Sequence, residues 1–109
     1  MDDKDKFLLL GFTSGAYYKI KFFSLLYEKP RSGTELYKLL NIMPADVYNL
    51  SKKYEELKLI VKKHPPKTDS SRKRLNRRTK LLYLTQDGKK LAEACDNFLK
   101  TIRKVIKWS

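Results

Sequence analysis

The residues with the most evident chemistry in this sequence are the bases between Lys62 and Lys80. Nine of these nineteen residues are lysine or arginine, opposed by the single acid Asp69. The segment therefore carries +8 of the formal net charge of +13, and the other ninety residues share +5. Solubility needs only a net charge of either sign, not one concentrated segment. Clustered lysine and arginine side chains bind phosphate groups, so the first partner predicted is nucleic acid.

Other kinds of chemistry have little support. The sequence has one histidine, His64, with no His or Cys partner at ligand spacing, so we expect no metal site and no cofactor. The one cysteine, Cys95, excludes an internal disulfide framework. We expect it to be a small buried apolar residue, with a disulfide to a second copy as the alternative. No paired carboxylates suit a cleft either, so the sequence does not indicate an enzyme.

The composition indicates one folded domain, residues 1–109. Its length allows a single modest core, and an apolar share of 41% argues against a disordered basic tail. Apolar runs all fall short of the roughly 20 residues that a membrane span needs. The mixed, acidic N-terminus is unlike a secretory signal. We therefore expect a cytoplasmic protein with no membrane partner.

The first half of the sequence predicts three helical segments. The apolar burst 7–12 predicts one or two helical turns, and apolar spacings of three and four over 16–29 predict an amphipathic helix. Ser32 and Glu35 then fit a capping box, in which each side chain satisfies the backbone amide of the other residue. The helix that opens there is expected to end near Asn41. Its inward-facing residues are expected to be Leu36, Leu39 and Leu40.

The second half predicts a further helix, a β-hairpin and a long last helix. Pro44 suits the first position of a helix, where its missing donor is not needed. The buried face of this helix is expected to be Val47, Leu50, Tyr54 and Leu57. Strands 59–63 and 80–84 flank a connection of about fourteen residues, longer than most hairpin loops. Thr85 suits the N-cap of a helix to about Lys107. The fold class is thus mainly α with a small β-hairpin (α+β).

Three stretches of the sequence resemble one family in the right order. Ser32 to Leu40 resembles the second helix of winged helix-turn-helix domains, and Val47 to Ile60 resembles their recognition helix running into the first wing strand. Tyr83-Leu-Thr-Gln-Asp-Gly88 resembles their strand-to-helix junction. The chain is most similar to MarR- and PadR-like transcription regulators of bacteria, archaea and archaeal viruses. An archaeal or viral source is expected, and a viral protein would act in the host cytoplasm.

This resemblance implies a dimeric DNA-binding regulator with three parts: an N-terminal extension 1–15, a winged core 16–85 and a C-terminal dimerisation helix 86–109. The recognition helix, about 44–57, would enter the major groove of double-stranded DNA. The basic wing, 62–80, would lie on the phosphate backbone or in the minor groove. The DNA-binding residues that we expect are Thr34, Tyr48, Asn49, Lys52, Lys53, Arg72, Lys73, Arg74, Arg77 and Arg78.

Two positions depart from the family pattern. Met43 stands where the family usually has Ser or Thr before the recognition-helix proline, so the cap is weak or is supplied by Asp46. Lys58 stands where glycine commonly ends that helix, so a left-handed backbone would cost strain there. Asn49 is the recognition-helix residue with an obvious base-edge pairing, to adenine.

The last helix predicts a second copy of the chain as a partner. Its apolar stripe continues for about four turns, which is more than the winged core needs, and soluble monomers rarely leave such a stripe exposed. The alternative is packing of the stripe onto the chain's own first helix. The predicted dimer-interface residues are Phe7, Leu10, Leu91, Cys95, Phe98, Ile102 and Val105, joined by Trp108.

Two other functions compete with a sequence-selective regulator. Few residues of the recognition helix are suited to contacts with base edges, which also fits an architectural DNA- or RNA-binding protein without sequence specificity. A winged domain that serves only protein interaction is the third class.

Overall fold

The helices and strands follow the predicted order, with one strand added. The computed structural model describes residues 2–65 and 79–106. Its elements, in chain order, are α1 (Asp3–Leu9), α2 (Ser14–Glu28), β1 (Arg31–Ser32), α3 (Gly33–Leu40), α4 (Pro44–Glu56), β2 (Ile60–Lys63), β3 (Leu81–Leu84) and α5 (Gln86–Val105). The predicted fold class is confirmed: helices predominate, and the sheet is small.

The sheet is antiparallel, with β3 in the centre and the order β1-β3-β2. Leu82 of β3 pairs with Arg31 on one side and with Lys62 on the other. The two-residue strand β1 was not predicted, because two residues between Pro30 and Gly33 show no periodicity. Arg31 also connects β1 to the end of α2: its Nε donates to the carbonyl oxygen of Leu25 at 2.9 Å, and its Nη2 donates to Glu28 Oε2 at 2.6 Å.

Local capping explains where most of the helices begin. The predicted capping box of α3 is present, because Ser32 Oγ accepts from the Glu35 amide at 3.1 Å and Glu35 Oε1 accepts from the Ser32 amide at 3.5 Å. Thr85 caps α5 by accepting from the Gly88 amide at 3.0 Å. Within the described residues, no side chain caps α4, whose N-cap is Met43. The weak cap predicted at that position is therefore confirmed.

The main core lies between α2, α3, α4, the sheet and the start of α5. Aromatic residues fill its centre: the Tyr54 ring of α4 lies 5.3 Å from Phe22 and 4.6 Å from Phe23, between ring centroids. Leu36 and Ile60 are fully buried beside them. Two apolar side chains that were expected to be buried are exposed, Leu39 at 51% and Leu57 at 57%. Leu36 and Leu40 form the buried face of α3 and leave Leu39 outside it, and Leu57 is the C-cap of α4.

A second cluster joins α1 to α5. Phe7 is fully buried against Leu99 and Ile102 of α5, and its ring meets Phe98 edge-on at 5.6 Å. Phe7 and Ile102 were predicted to meet a second copy, but their own chain covers both of them. For these two residues the structure corrects that interpretation, because α1 and α2 bury the middle of the α5 stripe.

An ion pair across the ends of the chain reinforces this contact. Arg103 of α5 donates to both carboxylate oxygens of Asp3, from Nε at 3.0 and 3.1 Å and from Nη2 at 2.6 Å. The hydrogen bond from Arg103 lowers the pKa of Asp3 despite the opposing effect of burial. Asp2 caps α1 by accepting from the Asp5 amide at 2.8 Å, so α1 begins four residues before the predicted burst.

Candidate nucleic-acid interface

Helix α4 presents one buried face and one polar face. Val47, Ser51 and Tyr54 are buried, at 2% to 7% exposure, and they fix the helix against the core. The four α4 residues predicted to contact DNA are all exposed: Tyr48, Asn49, Lys52 and Lys53. Helix α4, which carries these residues, is separated from α3 by three residues, and the two helices form a helix-turn-helix. Within the described part of the chain, these four side chains are accessible to a ligand.

The first wing strand runs beside α4, and Lys62 connects the two. Its Nζ lies 3.4 Å from Glu55 Oε1 and 5.3 Å from the centroid of the Tyr48 ring. Lys62 shares a face of the strand with buried Ile60, because side chains alternate along β2. The side chain of Lys62 is therefore directed towards α4.

A groove of about 400 Å³ separates the helix-turn-helix from the wing strands. Thr34, in the first turn of α3, stands on one wall, and Tyr48 stands on another. Lys62 of β2 and Lys80, the residue before β3, also line the groove and bring two ammonium groups to it. The remaining lining residues are Gly33, Tyr37, Pro44, Val47, Ser51 and Leu82. The groove thus brings together three parts of the chain that the sequence assigned to DNA binding.

The charge is distributed unevenly over this surface. Helix α4 has two lysines against three acids, Asp46, Glu55 and Glu56, so it is not itself a basic helix. The positive charge of this part of the sequence is therefore concentrated in the segment 62–80 rather than on α4. Wing residues Arg72, Lys73, Arg74, Arg77 and Arg78 lie outside the described residues.

A junction that depends on a glycine joins the end of α4 and the start of β2 to the first turn of α5. Lys58 adopts the left-handed conformation at φ 60°, as predicted, and turns the chain from α4 into β2. Thr85 Oγ1 donates to the Lys58 carbonyl at 2.7 Å, and the Thr85 amide donates to the Leu59 carbonyl at 3.0 Å. A Cβ on Gly88 would lie 1.9 Å from that Leu59 oxygen. The first turn of α5 therefore packs closely against the backbone of Leu59, the residue before β2.

Several of the residues predicted at a dimer interface do keep exposed surface. Leu10 is 51% exposed, Leu91 41% and Val105 73%. Phe98 and Cys95 are half-buried within the chain. Burial raises the pKa of the Cys95 thiol, so the group is a neutral thiol at pH 7 rather than a reactive thiolate. Trp108 lies outside the described residues.

Residues 2–65 and 79–106 contain no cluster of three or more His, Cys, Asp or Glu side chains suited to a metal ion. His64 is exposed at the end of β2. The helices in the same ranges are too short or too polar to cross a bilayer.

No family model and no curated protein sequence matches the chain. Solved structures do match. A cysteine-to-serine mutant of ZitR from Lactococcus lactis has a TM-score of 0.68 at 20% identity, covering 82% of this chain and 56% of that chain. Wild-type ZitR in complex with DNA has a TM-score of 0.65 at 22% identity, covering 81% and 55%. MepR, a transcription regulator of the Staphylococcus aureus multidrug efflux pump MepA, has a TM-score of 0.58 at 23% identity, covering 81% and 60%.

These likenesses establish the fold. The chain is a winged helix-turn-helix protein, and the resemblance to MarR-like regulators predicted from the sequence is confirmed at that level. The chain spans about 56% of the length of the ZitR chain.

Sequence reasoning missed two features of this surface. The contact of Lys62 with Glu55 and Tyr48 requires both the register of β2 and the face of α4, and neither follows from local spacing. The groove residues Tyr37 and Pro44 were interpreted only as parts of helices. An available signal was the alternation of Ile60 and Lys62, which places both on the side of the strand that faces α4.

Proposed function

We propose that the protein is a dimeric, sequence-selective DNA-binding regulator of transcription. Helix α4 reads the major groove, and the basic wing 62–80 contacts the phosphate backbone or the minor groove. The observation that best supports this proposal is the groove, which is lined by Thr34, Tyr48, Lys62 and Lys80. A ligand that enters it touches the helix-turn-helix and both wing strands at once.

The roles of the residues follow from their chemistry. Asn49 is suited to a bidentate contact with adenine, and exposed Lys52 and Lys53 can reach base acceptors or phosphates. Thr34 at the start of α3 is suited to a phosphate contact, since amides at a helix N-terminus favour an anion. The wing bases, Arg72, Lys73, Arg74, Arg77 and Arg78, supply most of the attraction to phosphate.

Pairing of two copies suits this mode of binding. One chain has a single recognition helix, whereas helix-turn-helix dimers place two such helices in successive major grooves, about 34 Å apart. Exposed Leu10, Leu91 and Val105 are apolar surface available to a second copy. The solved complex of ZitR with DNA supports the proposal through the shared fold.

The test is selection of bound duplexes from a random pool, followed by titration of a selected duplex at several salt concentrations. We expect a two-fold symmetric consensus and a steep fall of log K with log salt, by about 0.9 for each phosphate contact. Neutralising the five wing bases together should make that dependence shallower. Absence of duplex binding at low salt would overturn the proposal.

The second candidate is an architectural protein that binds nucleic acid without sequence choice. It is favoured by the small number of residues on α4 that are suited to reading base edges, with the single amide, Asn49, on its exposed face. Equal affinity for random and selected duplexes, or a preference for single strands, would establish this alternative. Asn49→Ala separates the two: it should relax the consensus of a selective protein and leave an architectural protein unaffected.

A further inference from the structure

Lys62 of β2 contacts two residues of α4. Its ammonium group is 3.4 Å from Glu55 Oε1 and 5.3 Å from the centroid of the Tyr48 ring, and its side chain is 32% exposed. An ammonium group over an aromatic face is attracted by the negative face of the ring. The same group therefore holds a carboxylate and a ring that belong to one helix.

The fold brings Lys62, Tyr48 and Glu55 together. Tyr48 and Glu55 are seven residues apart, which is two helical turns, so both lie on the same face of α4. Lys62 pairs with Leu82 in the sheet and shares its face, which is directed towards the core and α4. The aliphatic part of the Lys62 side chain thus extends from β2 to α4, and its ammonium group lies between the side chains of Tyr48 and Glu55.

The contact restrains Tyr48 without covering it. The Tyr48 side chain remains 58% exposed, although the ammonium group lies over its ring. An exposed aromatic side chain that is held in one orientation loses less freedom when it binds than one that rotates. Glu55 meanwhile partly neutralises the charge of Lys62, which makes this lysine a poorer phosphate ligand than a lysine without a carboxylate neighbour.

We propose that Lys62 is a positioning residue, which orients Tyr48 so that its ring contacts the methyl group of a thymine in the major groove. The inference rests on the proposed DNA-binding function. Thymine is the base indicated, because its C5-methyl is the apolar group that a base pair presents in that groove. An aromatic ring, unlike Lys52 or Asn49, recognises that group through apolar contact.

The experiment replaces single thymines of a selected duplex by uracil, which removes the methyl group and leaves every hydrogen-bonding group unchanged. For the wild-type protein, one such replacement should weaken binding about fourfold, as expected for one buried methyl group. In Tyr48→Ala the replacement should have no effect. Lys62→Met keeps the apolar stem and removes the ammonium group, so the fourfold preference should fall close to unity.

Lys63→Met is the matched control. It makes the same change of charge one residue further along β2, on the opposite face, where Lys63 Nζ lies 4.6 Å from the centroid of the Tyr83 ring. It should retain the preference for thymine. If Lys62 were instead a phosphate ligand, Lys62→Met would keep the thymine preference and lower the salt slope by about 0.9. That result would overturn the inference.

A second variant tests the same positioning from the other partner. Glu55→Gln weakens the hold on Lys62 and should lower the preference for thymine, whereas Glu56→Gln should not. Circular dichroism and thermal unfolding establish that each variant is folded. A selected consensus without any thymine whose methyl group matters would also overturn the inference while leaving DNA binding intact. Loss of all duplex binding in the wild type would instead defeat the proposed function.

Discussion

At the scale of single residues, Gly88 stands where the first turn of α5 meets the backbone of Leu59. Gly88→Ala would place a Cβ 1.9 Å from the Leu59 oxygen, so helix and strand must separate. We expect the free energy of unfolding to fall by about 3 kcal/mol, the upper range for overpacking, as measured by urea denaturation. Gly15→Ala is the control. Its Cβ would meet Thr13 Oγ1 at 3.8 Å, and helix propensity predicts a gain of about 0.5–1 kcal/mol. Equal effects of the two variants would contradict this account.

Lys58 stores strain at the turn between the recognition helix and the wing. At φ 60° a residue with a Cβ costs about 1–2 kcal/mol, and glycine avoids that cost. Lys58→Gly should therefore raise the free energy of unfolding by about 0.5–1 kcal/mol, after the entropy that glycine adds to the unfolded chain. Asn41→Gly, at φ 57°, should gain less, because asparagine tolerates this conformation. A loss of stability in Lys58→Gly would show that the lysine side chain contributes more than its backbone costs.

At the scale of elements, Asp96 joins α5 to α2. It is 7% exposed, accepts from Ser24 Oγ at 2.8 Å and lies 2.9 Å from Lys100 Nζ. The hydrogen bond from Lys100 lowers its pKa, burial opposes that shift, and the hydrogen bond from Ser24 adds to it. A carboxyl group with a lowered folded-state pKa stabilises the protein fully above its unfolded pKa, about 3.9. That contribution is lost as pH falls through the folded-state pKa.

Asp96→Asn tests this linkage. At pH 7 we expect a loss of about 1 kcal/mol, the difference between a charged and a neutral hydrogen bond. As pH falls from about 4 to below the lowered folded-state pKa, the wild type and the variant should converge in stability, because the wild-type carboxyl group becomes protonated over that range. Urea denaturation between pH 7 and pH 2 measures both effects. Glu93→Gln, at an exposed position of α5, is the control and should follow the wild type.

Signals confined to a few neighbouring residues predicted most of the elements. The capping box at Ser32, the proline at the start of α4 and the threonine before α5 each act on the turn that follows, so sequence reasoning found these helix ends. Two contacts depend on how separate elements pack together, so local signals do not predict them. These are the contact of Lys62 with Glu55 and Tyr48, and the ion pair of Asp3 with Arg103. Periodicity also overestimated burial at Leu39 and Leu57, because apolar spacing alone does not fix how wide the buried face of a helix is or whether its cap residue is covered.

At the scale of the whole molecule, the exposed apolar residues of α1 and α5 predict the oligomeric state. Leu10 and Val105 are 51% and 73% exposed, so Leu10→Glu and Val105→Glu should change folding stability by less than about 0.5 kcal/mol. Burying these charges at an interface between copies would be costly, so the double variant should be monomeric by sedimentation velocity.

The same variant separates dimerisation from DNA contact. A monomer engages one half-site, so its affinity for a symmetric duplex should fall about a hundredfold through lost bivalency. The salt slope should also fall, because half of the phosphate contacts are absent. Leu39→Glu introduces the same charge at an apolar residue of equal exposure on α3, and it should leave the oligomeric state unchanged. A double variant that remains dimeric and binds DNA like the wild type would exclude Leu10 and Val105 from the interface and would direct attention to Leu91.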